Sequence, residues 1–299
     1  MPSPARQRRL AGRHALVDGI RFVMPVHSEH SPALMAAFPC DAEKAAALLP
    51  GGEVHPFRMP DGRALLVVTV IDYRTTDIGA YIEYSIAIAC THGPAPAPRL
   101  LPALFRERYG LGQYVLDLPV STDVSVKGGK GIWGMPKHKA PLDFVVGDDV
   151  VSSQYDLDGQ LVLRVDVRKP GRAWLKIKLA AANYCAFRGM LMKSYISFAA
   201  RAGFRLFDKT AATLTFGDHP RIAPVKALDV DPHPVFAAYL PDSGGVLDDH
   251  FEGWFLTHNT PPEPGDGGDG LDSVVPLGLS EEWPPPPTRD AVPTAAHAA

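Results

Sequence analysis

The sequence predicts a mostly β fold (α+β at most): antiparallel sheets or a barrel with a few flanking helices. Three observations predict it. Short runs rich in Val, Ile and Thr recur, each closed by Gly, Pro or Asp. Asp158-Gly159 lies between two such runs as a two-residue hairpin signal of the type I′ kind. The runs also follow one another without the alternating helices that a parallel βαβ sheet requires.

Taken in order, Asp41–Leu49 predicts a helix. Asp41 is its N-cap, an alanine-rich run follows, and Pro50-Gly51 stops it. Ala64–Asp72 and Tyr81–Cys90 predict strands, Ala97–Tyr109 a helix, and Gln113–Val126 a further strand. Leu142–Val146, Val150–Leu157, Gln160–Arg168 and Ala173–Ala180 continue the strand pattern. Tyr184–Ala202 predicts a helix, because Phe187, Met190, Leu191, Ser194, Tyr195 and Phe198 fall near one face. No internal repeat is present.

The 299 residues are 46% hydrophobic and 21% charged, a globular balance that can bury a substantial core. A net charge of −3 gives no electrostatic footprint for nucleic acid. The three cysteines (Cys40, Cys90, Cys185) form no Cys-x-x-Cys pair and predict neither a disulfide framework nor a zinc ribbon. No apolar run of about 18 residues predicts a membrane span. The arginine-bearing N-terminus lacks the apolar stretch of a secretory signal, so a cytoplasmic protein is expected. Residues 1–18 are read as a basic disordered segment and 19–258 as the folded domain. Residues 259–299 hold nine prolines, five glycines and seven acids against one base, and are read as an acidic disordered tail.

Three motifs fail on inspection. Gly129-Lys130-Gly131-Ile132-Trp133-Gly134 is a literal G-x-G-x-x-G, but Met135-Pro136 follows at once. The residue before a proline avoids the helical region, so no helix starts where a dinucleotide site needs one. Asp242-Ser243-Gly244-Gly245 resembles a serine-protease stretch without its partners and reads as a turn. His27-x-x-His30, between Pro25 and Pro32, lacks a metal-ligand pattern, and no metal is expected.

Two stretches carry chemistry. Gly128–Lys139 packs four glycines, Trp133, Met135 and Pro136 around Lys137, with His138 and Lys139 beside it. A lysine held among apolar walls or beside another cation is driven toward its neutral amine. The amine is the form that attacks a ketone to make a Schiff base. Asp72-Tyr73-Arg74-Thr75-Thr76-Asp77-Ile78-Gly79-Ala80-Tyr81-Ile82-Glu83 leads a β-rich run and sets Glu83 within a strand, where an unpaired carboxylate is rare.

Together these stretches resemble the acetoacetate decarboxylase-like superfamily, with its D-Y-R-x-T-D-x-G-x-Y-x-E-like strand and, some way on, a W-G-x-P-K loop. Gly19–Val26 and Leu214–Pro220 match further, so the resemblance spans roughly 19–256. It implies a mostly antiparallel, cone-like β-barrel with the site inside. It implies Lys137 as the Schiff-base lysine and Glu83 as the carboxylate near it. Arg74, Tyr81, Trp133, Met135 and His138 are the accompanying candidates for substrate contact.

The resemblance also implies a homo-oligomer that needs no cofactor, has no nucleic-acid or membrane partner, and acts as a lyase on a keto acid or related carbonyl compound. Decarboxylation is the first reading; aldolase-dehydratase chemistry and a non-catalytic binder are the alternatives. The chain departs from the decarboxylase at three places. His138 replaces a second lysine, no arginine stands near Glu29-His30-Ser31, and Val67-Val68 replaces an acid.

Overall fold

In a computed structural model, residues 13–171, 175–258 and 260 are described. The strands in chain order are β1 (Arg13–Val17), β2 (Ile20–Met24), β3 (Val26–Glu29), β4 (Ala33–Cys40), β5 (Val54–Pro56), β6 (Ala64–Tyr73), β7 (Thr75–Thr76), β8 (Tyr81–His92) and β9 (Gly112–Val120). There follow β10 (Lys137–Lys139), β11 (Val145–Val146), β12 (Val150–Leu157), β13 (Gln160–Arg168), β14 (Leu175–Phe187), β15 (Met190–Leu206), β16 (Ala212–Phe216) and β17 (Phe236–Phe255).

Seven of these close a barrel in the order β9-β14-β15-β17-β4-β6-β8 and back to β9. Six junctions are antiparallel and one, β14–β9, is parallel. The exception is forced: a closed ring with an odd number of strands cannot alternate direction all the way round. The mostly antiparallel barrel of the sequence reading therefore holds, with one parallel seam.

A second, antiparallel sheet in the order β11-β12-β13-β16 packs against the barrel wall. Strand alternation divides the labour. Leu34, Val68, Val70, Tyr84 and Ile86 point outward into the main core, where they meet Tyr155, Leu163 and Val165 of the second sheet. The residues between them (Met35, Thr69, Ile71, Glu83, Ser85) line the barrel interior. Both faces of these strands are covered, which is why β6 and β8 read as nearly continuous apolar runs. Among the described residues no helix is long and apolar enough to cross a membrane.

Asp41 caps the Ala42–Ala47 helix as predicted, accepting from the backbone N–H groups of Glu43 and Lys44. Asp158-Gly159 makes the predicted hairpin, both residues at positive φ. Other expectations are corrected. Tyr184–Ala202 is not a helix. Arg188-Gly189, also both at positive φ, fold it into the β14–β15 hairpin. The Ala97–Tyr109 helix shrinks to Leu101–Leu104, in a stretch crowded by Pro94, Pro96, Pro98 and Pro102. The Gln113–Val126 strand ends at Val120, and a helix missed from sequence, Asp123–Trp133, begins. Asp242–Gly245 is not a turn but the middle of β17, where the strand passes from pairing β4 to pairing β3.

Arg13–Val17 pairs with β2 around Asp18-Gly19, so the boundary drawn at residue 18 cuts a hairpin. Residues 1–12 and nearly all of 259–299, where disorder was expected, lie outside the described residues.

Candidate active site

The site is assembled by β8 and the β9–helix–β10 crossover. Along β8, Tyr81, Glu83 and Ser85 share the interior face. Cross-strand register sets Tyr73 of β6 opposite Tyr81, and Ile71 opposite Glu83. The two tyrosine rings stack with centroids 4.6 Å apart. From the end of β9 the chain rises into the Asp123–Trp133 helix and returns as β10, parallel to β9, with Lys137 beside Leu118.

Ser125, Gly129 and Trp133 fall at i, i+4 and i+8 on that helix and form one stripe facing the lysine. At Gly129 a Cβ would sit 2.3 Å from Lys137 Cδ, so only glycine lets the lysine stem cross the helix there. Gly134 ends the helix at φ +67°, the Met135 N–H donates back to the Gly129 carbonyl, and a tight turn at Pro136, closed by the Lys137 N–H on the Met135 carbonyl at 2.7 Å, leads into β10. The glycine-rich motif therefore closes a helix rather than opening one, as its rejection as a phosphate loop requires.

Lys137 is 5% exposed. Its Nζ lies 2.6 Å from Glu83 Oε2 and donates to Ser125 Oγ at 3.0 Å. The same nitrogen sits 5.4 Å from the Tyr81 ring centre. Burial, reinforced by the Glu83 charge, pushes the Tyr73 and Tyr81 hydroxyls well above the ordinary tyrosine value. Both stay protonated, in hydrogen-bonding reach of each other, and Tyr81 reaches Ser125. The result is a hydrogen-bonded chain, Tyr73–Tyr81–Ser125–Lys137–Glu83. It borders a cavity of about 150 Å³ inside the barrel.

The structure brings Lys137, Glu83, Tyr81, Trp133 and Met135 together on that cavity. It does not bring the other two candidates. Arg74 is 55% exposed, and its Nε donates to Asp72 at 2.9 Å. It sits at the far end of β6, past the interior face. His138 follows Lys137 on a strand, so it points the opposite way, out of the barrel. There its Nε2 lies 2.9 Å from Asp117 Oδ1.

Arg221 donates to both oxygens of Asp117, at 2.7 and 3.0 Å, and Tyr155 donates to it at 3.2 Å. Burial alone would raise the Asp117 carboxyl, but the hydrogen bonds and charges of His138 and Arg221 outweigh it and hold the group below its usual range. Sequence reasoning missed Ser125, Gly129 and Tyr73 as parts of the site. The i, i+4, i+8 spacing on the Asp123–Trp133 helix would have found the first two, had that helix been recognised.

His27 and His30 pair separately, with Asp77 and Asp242, and no cluster of three or more metal-ligating side chains exists among the described residues.

The profile of the acetoacetate decarboxylase family matches residues 11–239. Among solved structures, an acetoacetate decarboxylase superposes with a TM-score of 0.58 at 15% identity, covering 77% of this chain and 89% of its own. The acetoacetate decarboxylase of Legionella pneumophila superposes at 0.57 with 14% identity, covering 87% and 93%. The enduracididine biosynthesis enzyme MppR, in complex with pyruvate, superposes at 0.54 with 18% identity, covering 79% and 91%. No curated protein sequence matches.

Proposed function

The chain belongs to the acetoacetate decarboxylase family, and from that premise we propose that it is a Schiff-base lyase acting on a carbonyl compound, with Lys137 as nucleophile and Glu83 as its proton partner. One observation carries this reading: a buried lysine whose nitrogen sits 2.6 Å from a carboxylate on the wall of a cavity inside the barrel. Members of the family include decarboxylases, and MppR has been seen with pyruvate.

The chemistry follows from the placement. Glu83 takes a proton from the Lys137 ammonium, freeing the amine. The amine adds to the substrate carbonyl, and the carbinolamine loses water, Glu83 returning the proton to the departing oxygen. Ammonium and carbonyl thus become iminium and water, with charge conserved. The iminium then accepts the electron pair when the bond between the α and β carbons breaks. Carbon dioxide leaves from a β-keto acid, or an aldehyde from a β-hydroxy carbonyl compound. Protonation of the enamine carbon and hydrolysis return the lysine.

Trp133 and Met135 wall the nitrogen off from bulk water, and Ser125 and Tyr81 orient it. Glu83 and Ser125, acceptors already in place around the desolvated nitrogen, need no rearrangement as the iminium forms. A homo-oligomer, as in the family, is part of the same reading; light scattering at micromolar concentration reads it.

The test is borohydride trapping with a panel of ketones and keto acids, followed by mass mapping. A reduced adduct on Lys137 is expected, and none in Lys137→Arg, whose guanidinium cannot form the imine. An adduct on another lysine, undiminished in that variant, overturns the assignment.

A further inference from the structure

We propose that the cavity takes an uncharged ketone or aldehyde carrying a neutral hydrogen-bonding group several bonds from its carbonyl: the carbonyl at Lys137, the remote group on a belt formed by Thr69, Ser85, Gln113 and Asn183. The proposal rests on the Schiff-base reading and narrows its substrate.

Two separate register pairs supply these residues. Thr69 of β6 stands opposite Ser85 of β8, and Asn183 of β14 stands opposite Gln113 of β9. All four line the cavity. Ser85 is two residues beyond Glu83 on the same face, which puts the Thr69–Ser85 pair about 7 Å from the carboxylate; Gln113 stands opposite Ala89, four residues further along β8. Apolar side chains, including Ile71, Val115 and Phe198, line the cavity between its polar groups. Beyond the lysine the cavity is thus polar where these four residues stand, with Ser28, Thr76 and Ser243 as further polar lining.

Two observations fix the chemistry of the remote group. First, Thr69 Oγ1 is buried and has no hydrogen-bond partner among the described residues. A buried hydroxyl without a partner is costly, and a ligand group that satisfies it recovers that cost. Second, among the described residues lining the cavity the charged ones are Lys137 and Glu83, and they already neutralise each other at 2.6 Å. A carboxylate bound at the belt would meet hydroxyls and amides but no countercharge, an expensive burial. A hydroxyl, amide or ether is matched by the same groups without that penalty.

The consequence for the reaction is direct. An uncharged substrate has no carbon dioxide to lose, so the bond that breaks is that of a β-hydroxy carbonyl compound. Glu83 takes the β-hydroxyl proton, the α–β electron pair moves into the iminium to give the enamine, and an aldehyde leaves. The enamine then gains a proton at its α carbon, and water hydrolyses the iminium.

Three matched probes test the substrate class by borohydride labelling of the full chain at subsaturating concentration: 6-hydroxyhexan-2-one, its carboxylate counterpart 5-oxohexanoate, and hexan-2-one. The hydroxyketone is expected to label Lys137 about tenfold faster than either of the others. In Asn183→Leu and Gln113→Leu its advantage over hexan-2-one is expected to collapse to within about twofold. Equal or faster labelling by 5-oxohexanoate in the unmodified protein overturns the proposal and leaves the Schiff-base reading standing. No Lys137 adduct from any ketone or keto acid overturns both. The comparison among probes needs no variant, so a substitution that fails to fold does not decide the matter.

Discussion

Lys137 and His138 are adjacent on β10 and face opposite ways: the lysine nitrogen lies 2.6 Å from Glu83 inside the barrel, and the histidine ring lies 2.9 Å from Asp117 outside it. The histidine that follows the lysine in sequence is therefore on the other face of the strand from its nitrogen. What His138 does instead is tie β10 to β9 through Asp117, and through Asp117 to Arg221. The strand that delivers the lysine is clamped from behind.

That clamp predicts an acid dependence of stability. The Asp117 carboxyl is held below its ordinary value in the folded state, so its stabilisation is fully present above about pH 4, the unfolded value, and is lost as pH falls through the lower folded value. The unmodified protein should therefore lose stability more steeply than Asp117→Asn between about pH 4 and the point where the carboxyl protonates. At pH 7 Asp117→Asn should cost about 1.5–3 kcal/mol, the loss of charge-assisted hydrogen bonds to a half-exposed Arg221. Urea denaturation at pH 7 and at several acidic values reads both; coincident midpoints at pH 7 would show that the clamp contributes nothing.

Glu83→Gln removes the proton partner and keeps the shape. The amide cannot receive the ammonium proton or return it, so turnover should fall by ~10²–10⁴ while slow borohydride trapping at Lys137 persists. Steady-state kinetics beside single-turnover trapping separates the two. Unchanged turnover would reduce Glu83 to a residue that orients the lysine.

Tyr81 stays protonated because burial and the Glu83 charge hold its hydroxyl well above the ordinary value. Tyr81→Phe should therefore lower kcat/KM by about tenfold through the lost hydrogen bond that holds Ser125, without moving the alkaline limb of the pH profile. A limb that shifts in Tyr81→Phe would mean that the tyrosine itself titrates during catalysis.

Much of this was legible in the sequence, and the misses have physical causes. That Lys137, Glu83 and Tyr81 belong on one cavity was legible because a lysine among Trp, Met and Pro, and a carboxylate inside an apolar strand, are expensive placements. Arg74 and His138 do not line the cavity, because proximity in sequence does not give the face. One residue further along a strand reverses the direction of the side chain.

The Tyr184–Ala202 error has a similar root. Strands β14 and β15 lie in a barrel wall with apolar residues on both faces, and such runs satisfy a helical spacing by chance. Asp158-Gly159 was recognised as a hairpin. Asp18-Gly19 carries the same signal but sits at the end of a basic segment that reads as disordered, and Arg188-Gly189, with the same pair of positive φ angles, carries an arginine where Asn or Asp is the usual signal. The Asp123–Trp133 helix was hidden by its own glycines. Gly128, Gly129 and Gly131 depress helix propensity, and the reason they are there is contact, which no local pattern shows.

Gly129 gives the sharpest separation of stability from function. In an ordinary helix interior, alanine is favoured over glycine by about 1 kcal/mol. In Gly129→Ala the three atoms nearest the new methyl are all on Lys137, at 2.3 to 3.1 Å, so the displacement falls on the lysine stem rather than on the backbone. The fold should therefore keep its melting temperature to within a few degrees, since the propensity gain offsets part of the clash. The nitrogen, however, leaves its seat between Glu83 and Ser125. A misplacement of about 1 Å at a reacting group costs on the order of 10²-fold, and borohydride trapping at Lys137 should slow by that factor. Calorimetry and trapping on the same preparation make the comparison. Gly129→Ala that traps as fast as the unmodified protein would show that the lysine does not need this seat. A variant that loses its fold along with its activity would show that the helix, rather than the lysine, yields to the methyl.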